Sequence, residues 1–307
     1  MWQQTITYPC LGTLFAPEAD CLFPGVIILP GSDGGIPEAI AKRIATQGYS
    51  VLALGFFGVD PLPRTLENIP LEYFQQAIDY LAPKVKNNSI TVMGYSRGGE
   101  LVLLLSAYFP ARVRGVIAFV PCSMVCGGFP YINQPAWTFN NQPITPFLHG
   151  LMSHDETWTE ADDLRLACEQ GIIPYHNNSI QDPYEVAALF SARHEHQKAD
   201  LAAAVIPVEC IQCPLLIIAG NQDKIWPSAL YAEQIMDRLD RKNSPIVRKS
   251  CVYPEAGHGI LAPYEKPVYH KRGKFWCTLG GTPEGNRLAS EQAWNELFQF
   301  LQATCNV

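Results

Sequence analysis

The stretch Gly94-Tyr95-Ser96-Arg97-Gly98-Gly99 has the residue types and spacing to make a hydroxyl reactive. A β-branched and apolar run, Ser89 to Met93, stops at Gly94, and a helix-like run, Glu100-Leu101-Val102-Leu103-Leu104-Leu105, begins after Gly99. A G-x-S-x-G turn between strand and helix holds the serine in strained backbone and projects its hydroxyl out of a sheet. The glycines are needed where a side chain would strike the neighbouring strand and helix. An ordinary Gly-rich turn with a solvated serine has the same letters. The strand before and the helix after are what favour Ser96 as a nucleophile.

A serine nucleophile requires a base within hydrogen-bond reach and a carboxylate to orient that base. The apolar run Leu215–Ala219 leads into Gly220-Asn221-Gln222-Asp223, and the run Ile246–Val252 leads into Pro254-Glu255-Ala256-Gly257-His258. Asp223 and His258 therefore leave strands at the edge where Ser96 sits, in the chain order serine, acid, histidine. Asp237 and Asp240 fall in or at the end of a predicted helix, out of ready reach of that edge. Glu255, three residues before the histidine, ranks second to Asp223. A developing oxyanion needs backbone N–H donors. One is expected from Arg97, the other from the loop Pro30-Gly31-Ser32-Asp33-Gly34-Gly35. Pro30 has no N–H, so Ser32 is the expected donor, with Asp33 next. The loop lacks the lysine of a P-loop and G-x-G-x-x-G spacing, which makes phosphate cradling a poor reading.

The elements that must position these groups alternate. Short continuous apolar runs predict buried strands at Val26–Leu29, Val51–Leu54, Ser89–Met93, Val116–Val120 and Leu215–Ala219, with a last strand at Ile246–Val252. Helical spacing predicts helices over Pro37–Gln47, Leu71–Leu81, from the elbow to Tyr108, over Ser228–Leu239 with Ser228 as cap, and over Ala289–Leu301. This alternation implies a mostly parallel sheet with helices on both faces. Residues 127–205, rich in proline and with only short helical patches such as Glu160–Gln170, break the rhythm. They read as a cap inserted over the carboxyl edge of the sheet in a single domain spanning 1–307, rather than as a surface decoration. The aromatic residues Phe129, Tyr131, Trp137, Phe139 and Phe147 there suggest an apolar pocket, although aromatic residues are more often simply core.

Composition narrows the function. A net charge of −7 with no basic run argues against nucleic acid, and no apolar stretch approaches the roughly 20 residues of a membrane span. The start lacks the basic and apolar regions of a secretory signal, and the ending is neither a peroxisomal nor a prenylation signal. Ten cysteines without such a signal point to reduced thiols in a cytoplasm. Cys210-Ile211-Gln212-Cys213 has C-x-x-C form, but no second pair stands at metal spacing, so a structural role is favoured over a redox or zinc half-site. Cys122 and Cys126 are similarly isolated. His194-Glu195-His196 lacks the spacing of a zinc protease helix and reads as a solvated helix face. No metal or organic cofactor is expected.

Several blocks of the chain resemble the C-terminal catalytic domain of acyl-CoA thioesterases and bile acid-CoA:amino acid N-acyltransferases. They are Gly34-Gly35-Ile36-Pro37-Glu38 with Gln47-Gly48-Tyr49, Leu62-Pro63-Arg64-Thr65-Leu66-Glu67, Pro70-Leu71-Glu72-Tyr73-Phe74-Gln75-Gln76-Ala77, the elbow, and Gly280-Gly281-Thr282-Pro283-Glu284-Gly285. The similarity runs from about residue 10 to 302 and extends more distantly to dienelactone-hydrolase-type enzymes. It implies an α/β-hydrolase fold acting on acyl thioesters, with the same Ser96, Asp223 and His258. Members that transfer acyl groups to amino acids use cysteine as the nucleophile, so serine at 96 implies hydrolysis to the free acid. About 20 residues precede the first expected core strand, too few for the β-sandwich domain that the family carries in front, and part of the recognition of CoA is expected to go with it. The expected partner is thus a small-molecule acyl thioester. The alternatives are a small carboxylic ester without CoA and a hydrolase-fold binding module that no longer turns over.

Overall fold

A strand that is apolar at every position has to be covered on both faces, and the central strands are. In the computed structural model, which describes all residues except 19–20, 148–152, 154, 197–200, 261–267, 273–274 and 306–307, one large sheet holds eight strands. They are β1 (Trp2–Ile6), β2 (Leu11–Ala16), β3 (Gly25–Leu29), β4 (Ser50–Gly55), β5 (Ile90–Tyr95), β6 (Gly115–Phe119), β7 (Leu215–Gly220) and β8 (Arg248–Tyr253). Their order is β1-β2-β4-β3-β5-β6-β7-β8. The six strands from β3 to β8 are parallel, and β2 joins β4 antiparallel with β1 outside it. Burial is complete along β3, β4, β6 and β7 and fades at the edges β1 and β8.

Side chains alternate between the two faces with the period of two that a strand imposes. Ile27, Leu29, Val92, Val116 and Ile217 pack on one face with α2 (Leu71–Leu81), α3 (Arg97–Tyr108) and α7 (Ser228–Arg241). Val26, Ile28, Met93, Ile117 and Ile218 pack on the other with α1 (Glu38–Ala45) and α8 (Pro283–Cys305). The architecture is the α/β-hydrolase type expected, a mostly parallel sheet between two helical layers. Among the described residues no helix is long and apolar enough to cross a membrane.

The structure departs from the sequence reading in three places. The amino-terminal residues are not a bare lead-in but two strands of the main sheet. Leu11-Gly12-Thr13-Leu14-Phe15-Ala16 is apolar enough to be buried against β4 but too mixed with Gly and Thr to announce itself. Ser228 is not the cap of α7. Pro227 precedes the helix, and the Ser228 hydroxyl lies 3.4 Å from both the N and the O of Gly220. The last helix begins at Pro283 rather than Ala289, because Pro is suited to a first helical turn.

Between β6 and β7, residues 127–205 carry a short strand (Trp137–Phe139) and the helices α4 (Glu160–Glu169), α5 (Val186–His196) and α6 (Leu201–Ala204). A true capping box starts α4: the Thr159 hydroxyl accepts from the Asp162 N–H while Asp162 accepts from the Thr159 N–H. Leu164, Val186, Leu189 and Phe190 of this segment share a core with Ile225, Trp226, Cys277 and Leu279. The segment is therefore packed onto the loops that follow β7 and β8. Of its aromatic residues, Trp137 and Phe139 pack into the main core, and Phe129 and Phe147 line a cavity.

Where β5 turns into α3, Gly98 lies against β3: an added Cβ would stand 2.5 Å from the Pro30 carbonyl oxygen and 2.6 Å from that of Leu29. Both are backbone atoms, so neither can swing aside. Gly98→Ala is expected to destabilise the protein by about 1–3 kcal/mol, read as a lower denaturation midpoint in urea. A midpoint equal to that of the parent chain would show that the two elements are not so tightly apposed.

Candidate active site

Ser96 has φ 56° and ψ −117°, a conformation L-residues avoid. Two hydrogen bonds hold it there. Its N–H donates to the Phe119 carbonyl on β6 at 2.9 Å, and its carbonyl accepts from Glu100 N–H at 3.0 Å. The side chain is 5% exposed at the mouth of the sheet.

Asp223 and His258, drawn from the two loops expected, meet it. The Ser96 hydroxyl lies 2.9 Å from His258 Nε2, and His258 Nδ1 lies 2.8 Å from Asp223 Oδ2. The other carboxylate oxygen, Oδ1, accepts from the N–H groups of Ile225 at 2.9 Å and Trp226 at 3.2 Å. With both oxygens engaged the carboxylate has one orientation, which fixes Nδ1 as the protonated nitrogen and leaves Nε2 facing the hydroxyl. Glu255 is exposed and Asp240 pairs with Arg248, so neither competes.

Four groups that the sequence reading passed over hold these loops. Tyr95, next to the nucleophile, donates its hydroxyl to the His258 carbonyl at 2.5 Å. Burial, with Asp223 and Asp33 nearby, pushes its phenol well above the ordinary value and keeps it a donor. Trp226 stands edge-on to the His258 ring, with centroids 5.5 Å apart, and donates its indole N–H to the Val120 carbonyl at 2.9 Å. Asn286 is fully buried. It accepts from Gly257 N–H at 2.8 Å and donates to the Gly280 carbonyl at 3.1 Å. Gly280 and Gly281 bridge to Asp223 and Ala256 respectively, and His258 N–H donates to Leu279 at 2.7 Å. The block Gly280–Gly285 thus ties the acid loop to the histidine loop. Its unusual Gly-Gly-Thr-Pro pattern was the signal available in the sequence.

The fourth group is Glu100. It is completely buried on the first turn of α3, and its Oε1 accepts from Trp137 Nε1 at 2.8 Å and from Cys126 N–H at 3.1 Å. Its Oε2 faces Arg97 Nε at 3.2 Å, an ion pair lying off the line of a hydrogen bond. Burial raises the Glu100 carboxyl, and Arg97, Trp137 and Cys126 pull it back down. The Arg97 guanidinium also donates to the Cys126 carbonyl at 3.1 Å. Arg97 thereby has its side chain turned away from Ser96 while its N–H heads a helix, where no intrahelical acceptor exists. Ser32 lies across the same cavity, of about 40 Å³, which Ser96 and Arg97 also line. Asp33 is exposed and pairs with His270 at 3.2 Å. Such an arrangement can transfer the hydroxyl proton to imidazole.

Of the cysteines, Cys213 is buried, its thiol pushed up to about 12 by desolvation, and Cys210 is exposed; both are free. Of the His194-Glu195-His196 cluster, Glu195 lies exposed on α5.

Comparison with known proteins gives the chain its family and its fold. Residues 69–306 match the family described as BAAT / Acyl-CoA thioester hydrolase C terminal. The chain is 30% identical over 308 residues to human acyl-coenzyme A thioesterase 6, covering 97% of this chain and 64% of that protein. It is 30% identical over 298 residues to mouse acyl-coenzyme A amino acid N-acyltransferase 2, covering 95% and 62%. It therefore spans less than two thirds of the length of these relatives. Among solved structures it resembles a putative dienelactone hydrolase from Klebsiella pneumoniae (TM-score 0.54, 14% identity, 98% of both chains). The alpha/beta hydrolase GrgF from a Penicillium species is similar too (TM-score 0.53, 18% identity, 100% and 99% coverage).

Asn286→Ala would remove the two side-chain bonds by which Asn286 spans from Gly257 to Gly280, leaving two buried backbone groups without that partner at about 1–3 kcal/mol each. The expected result is a lower denaturation midpoint together with roughly tenfold slower labelling of Ser96 by a fluorophosphonate. Unchanged labelling would mean that the loops hold position without it.

Proposed function

The chain belongs to the BAAT / acyl-CoA thioester hydrolase family, and on that premise we propose that it cleaves acyl thioesters as a serine hydrolase. One observation carries the reading: the unbroken hydrogen-bond line from Ser96 Oγ through His258 to Asp223, at 2.9 and 2.8 Å. His258 Nε2 takes the hydroxyl proton as Ser96 Oγ attacks the acyl carbonyl carbon. The tetrahedral oxyanion is held by the N–H groups of Arg97 and Ser32. As it collapses, the C–S bond breaks and the imidazolium returns its proton to the leaving thiolate. Water then attacks the acyl-enzyme, its proton going to His258, and the acid leaves as Ser96 is regenerated. Asp223 stays ionised and stabilises the imidazolium. No step calls on a metal or an organic cofactor.

In this reading, residues 127–205 are a cap inserted in one domain, and they wall the acyl side of the cavity. Serine rather than cysteine at position 96 supports hydrolysis over transfer to an amino acid. A cytoplasmic location goes with the nine cysteines whose side chains are described, which are free thiols. One observation favours a second reading, a carboxylesterase for small esters: the cavity beside Ser96 measures only about 40 Å³.

Rates on acyl-CoA esters of several chain lengths, set beside simple aryl esters, separate the two. Acyl-CoA is expected to be turned over faster at one length or more, and Ser96→Ala is expected to lower kcat by about 10⁴-fold or more. Aryl esters ahead at every length would replace the thioesterase reading with the esterase one. Activity surviving in Ser96→Ala would remove the nucleophile.

A further inference from the structure

The bonds on the histidine loop lead to different parts of the fold. His258 N–H goes to Leu279 at 2.7 Å and Gly257 N–H to Asn286 at 2.8 Å, so both end on residues 279–286. Asp223 holds the ring through Nδ1 at 2.8 Å. The Tyr95 hydroxyl, 163 residues away in sequence, holds the His258 carbonyl and belongs to the residue covalently joined to Ser96. That tie spans directly from the nucleophile's strand to the base. The Tyr95 ring has further neighbours. Its centroid stands 5.3 Å from that of the His258 ring, at an interplanar angle of 62°. A Cβ added at Gly31 would meet Ser96 Cβ at 3.2 Å and Tyr95 Cδ1 at 3.3 Å, so the 30–35 loop closes on the same ring.

The hydroxyl fixes orientation rather than adding much stability. A carbonyl oxygen can accept twice, and that of His258 also accepts from Ile260 N–H at 3.0 Å. The Ile260 bond spans only Gly259 and moves with the loop, whereas the Tyr95 bond is anchored in β5. Without the Tyr95 hydroxyl the carbonyl keeps a donor, so no buried group is left unpaired. The link between loop and sheet is what goes. A catalytic group misplaced by about 1 Å can lose about 100-fold in rate, and the 2.9 Å from Ser96 Oγ to His258 Nε2 leaves little slack for such a shift. Tyr73 makes a comparable bond elsewhere. Its hydroxyl donates to the Gly55 carbonyl at 2.7 Å and accepts from Leu11 N–H at 2.8 Å, joining β2 to β4 on the far side of β3 from Ser96.

We propose that Tyr95 is a positioning residue for hydrolysis, its hydroxyl holding His258 Nε2 on the line to Ser96 Oγ. This role rests on the reading of Ser96 as nucleophile. The test sets the full chain beside Tyr95→Phe, which keeps the ring and deletes the hydroxyl, and beside Tyr73→Phe as control. Fluorophosphonate labelling of Ser96, kcat and KM on 4-nitrophenyl butanoate, and the denaturation midpoint in urea are measured for each. Tyr95→Phe is expected to lower kcat and the labelling rate together by about 10- to 100-fold, with KM within about twofold of the parent and the midpoint close to it. Tyr73→Phe is expected to label at the parent's rate. Unchanged labelling and kcat in Tyr95→Phe would overturn the proposal. So would a variant that loses its fold, since Tyr95 would then be structural, or a raised KM at constant kcat, which would make it a substrate-binding residue. Equal losses in both variants would overturn it too, because any deleted hydroxyl would then do the same. A parent chain that is not labelled at all would take away the nucleophile, a result distinct from a labelled parent whose variant is no slower.

Discussion

The turn at Ser96 is the constraint from which the rest of the structure follows. A non-glycine residue at φ 56° and ψ −117° costs of order 1–3 kcal/mol, and it persists only if its surroundings leave no alternative. They leave none here. The Ser96 N–H is bound to β6, its carbonyl to α3, and Gly94 and Gly98 let strand and helix close to backbone contact. The result is a hydroxyl that stands clear of the sheet at a point set by three elements at once. Freedom at that point would be repaid in entropy at each encounter with a substrate, whereas a fixed hydroxyl needs no further ordering.

The histidine and the acid come from loops, and loops are mobile unless tied. The ties are backbone bonds to a third segment. Leu279 receives the His258 N–H, Gly280 pairs with Asp223, and Asn286 spans from Gly257 to Gly280. Gly280 and Gly281 both have positive φ, at 75° and 69°, and both lie too close to neighbouring backbone for any side chain. A segment far along the chain therefore sets the spacing between two catalytic candidates without contributing a reacting atom. Tyr95 adds a tie from the opposite side, joining the residue before the nucleophile to the carbonyl of the histidine.

How much of this was legible follows from how local each signal is. The central strands and their flanking helices announce themselves because burial on both faces demands continuous apolar runs. The elbow and the two strand-end loops do so because close approach demands glycine. The chain order of Ser96, Asp223 and His258 was therefore readable, and their contacts followed from the sheet. β1 and β2 were not, because β1 is an exposed edge strand and β2, although buried, mixes Gly12 and Thr13 into a run with no period of its own. Glu100, Asn286 and Arg193 were equally hidden. A charged or polar residue on a helix reads as solvated until a partner far along the chain is seen to bury it, such as Trp137 for Glu100 or Asp163 for Arg193.

Glu100 shows why such a buried group is kept. Its burial is unfavourable, as the raised carboxyl indicates, and apolar packing could fill the same volume. What apolar packing could not supply is direction. The single Oε1 gathers Trp137 and the Cys126 N–H, while the Arg97 side chain, pulled to the same carboxylate, also donates to the Cys126 carbonyl. The first turn of the helix behind Ser96 is thereby locked to the loop that opens residues 127–205, the segment that walls the cavity. A shift of that segment would have to drag Arg97, and with it the backbone next to Ser96. The wall of the cavity and the backbone beside Ser96 are in this way coupled through one carboxylate, since the same bonds define both.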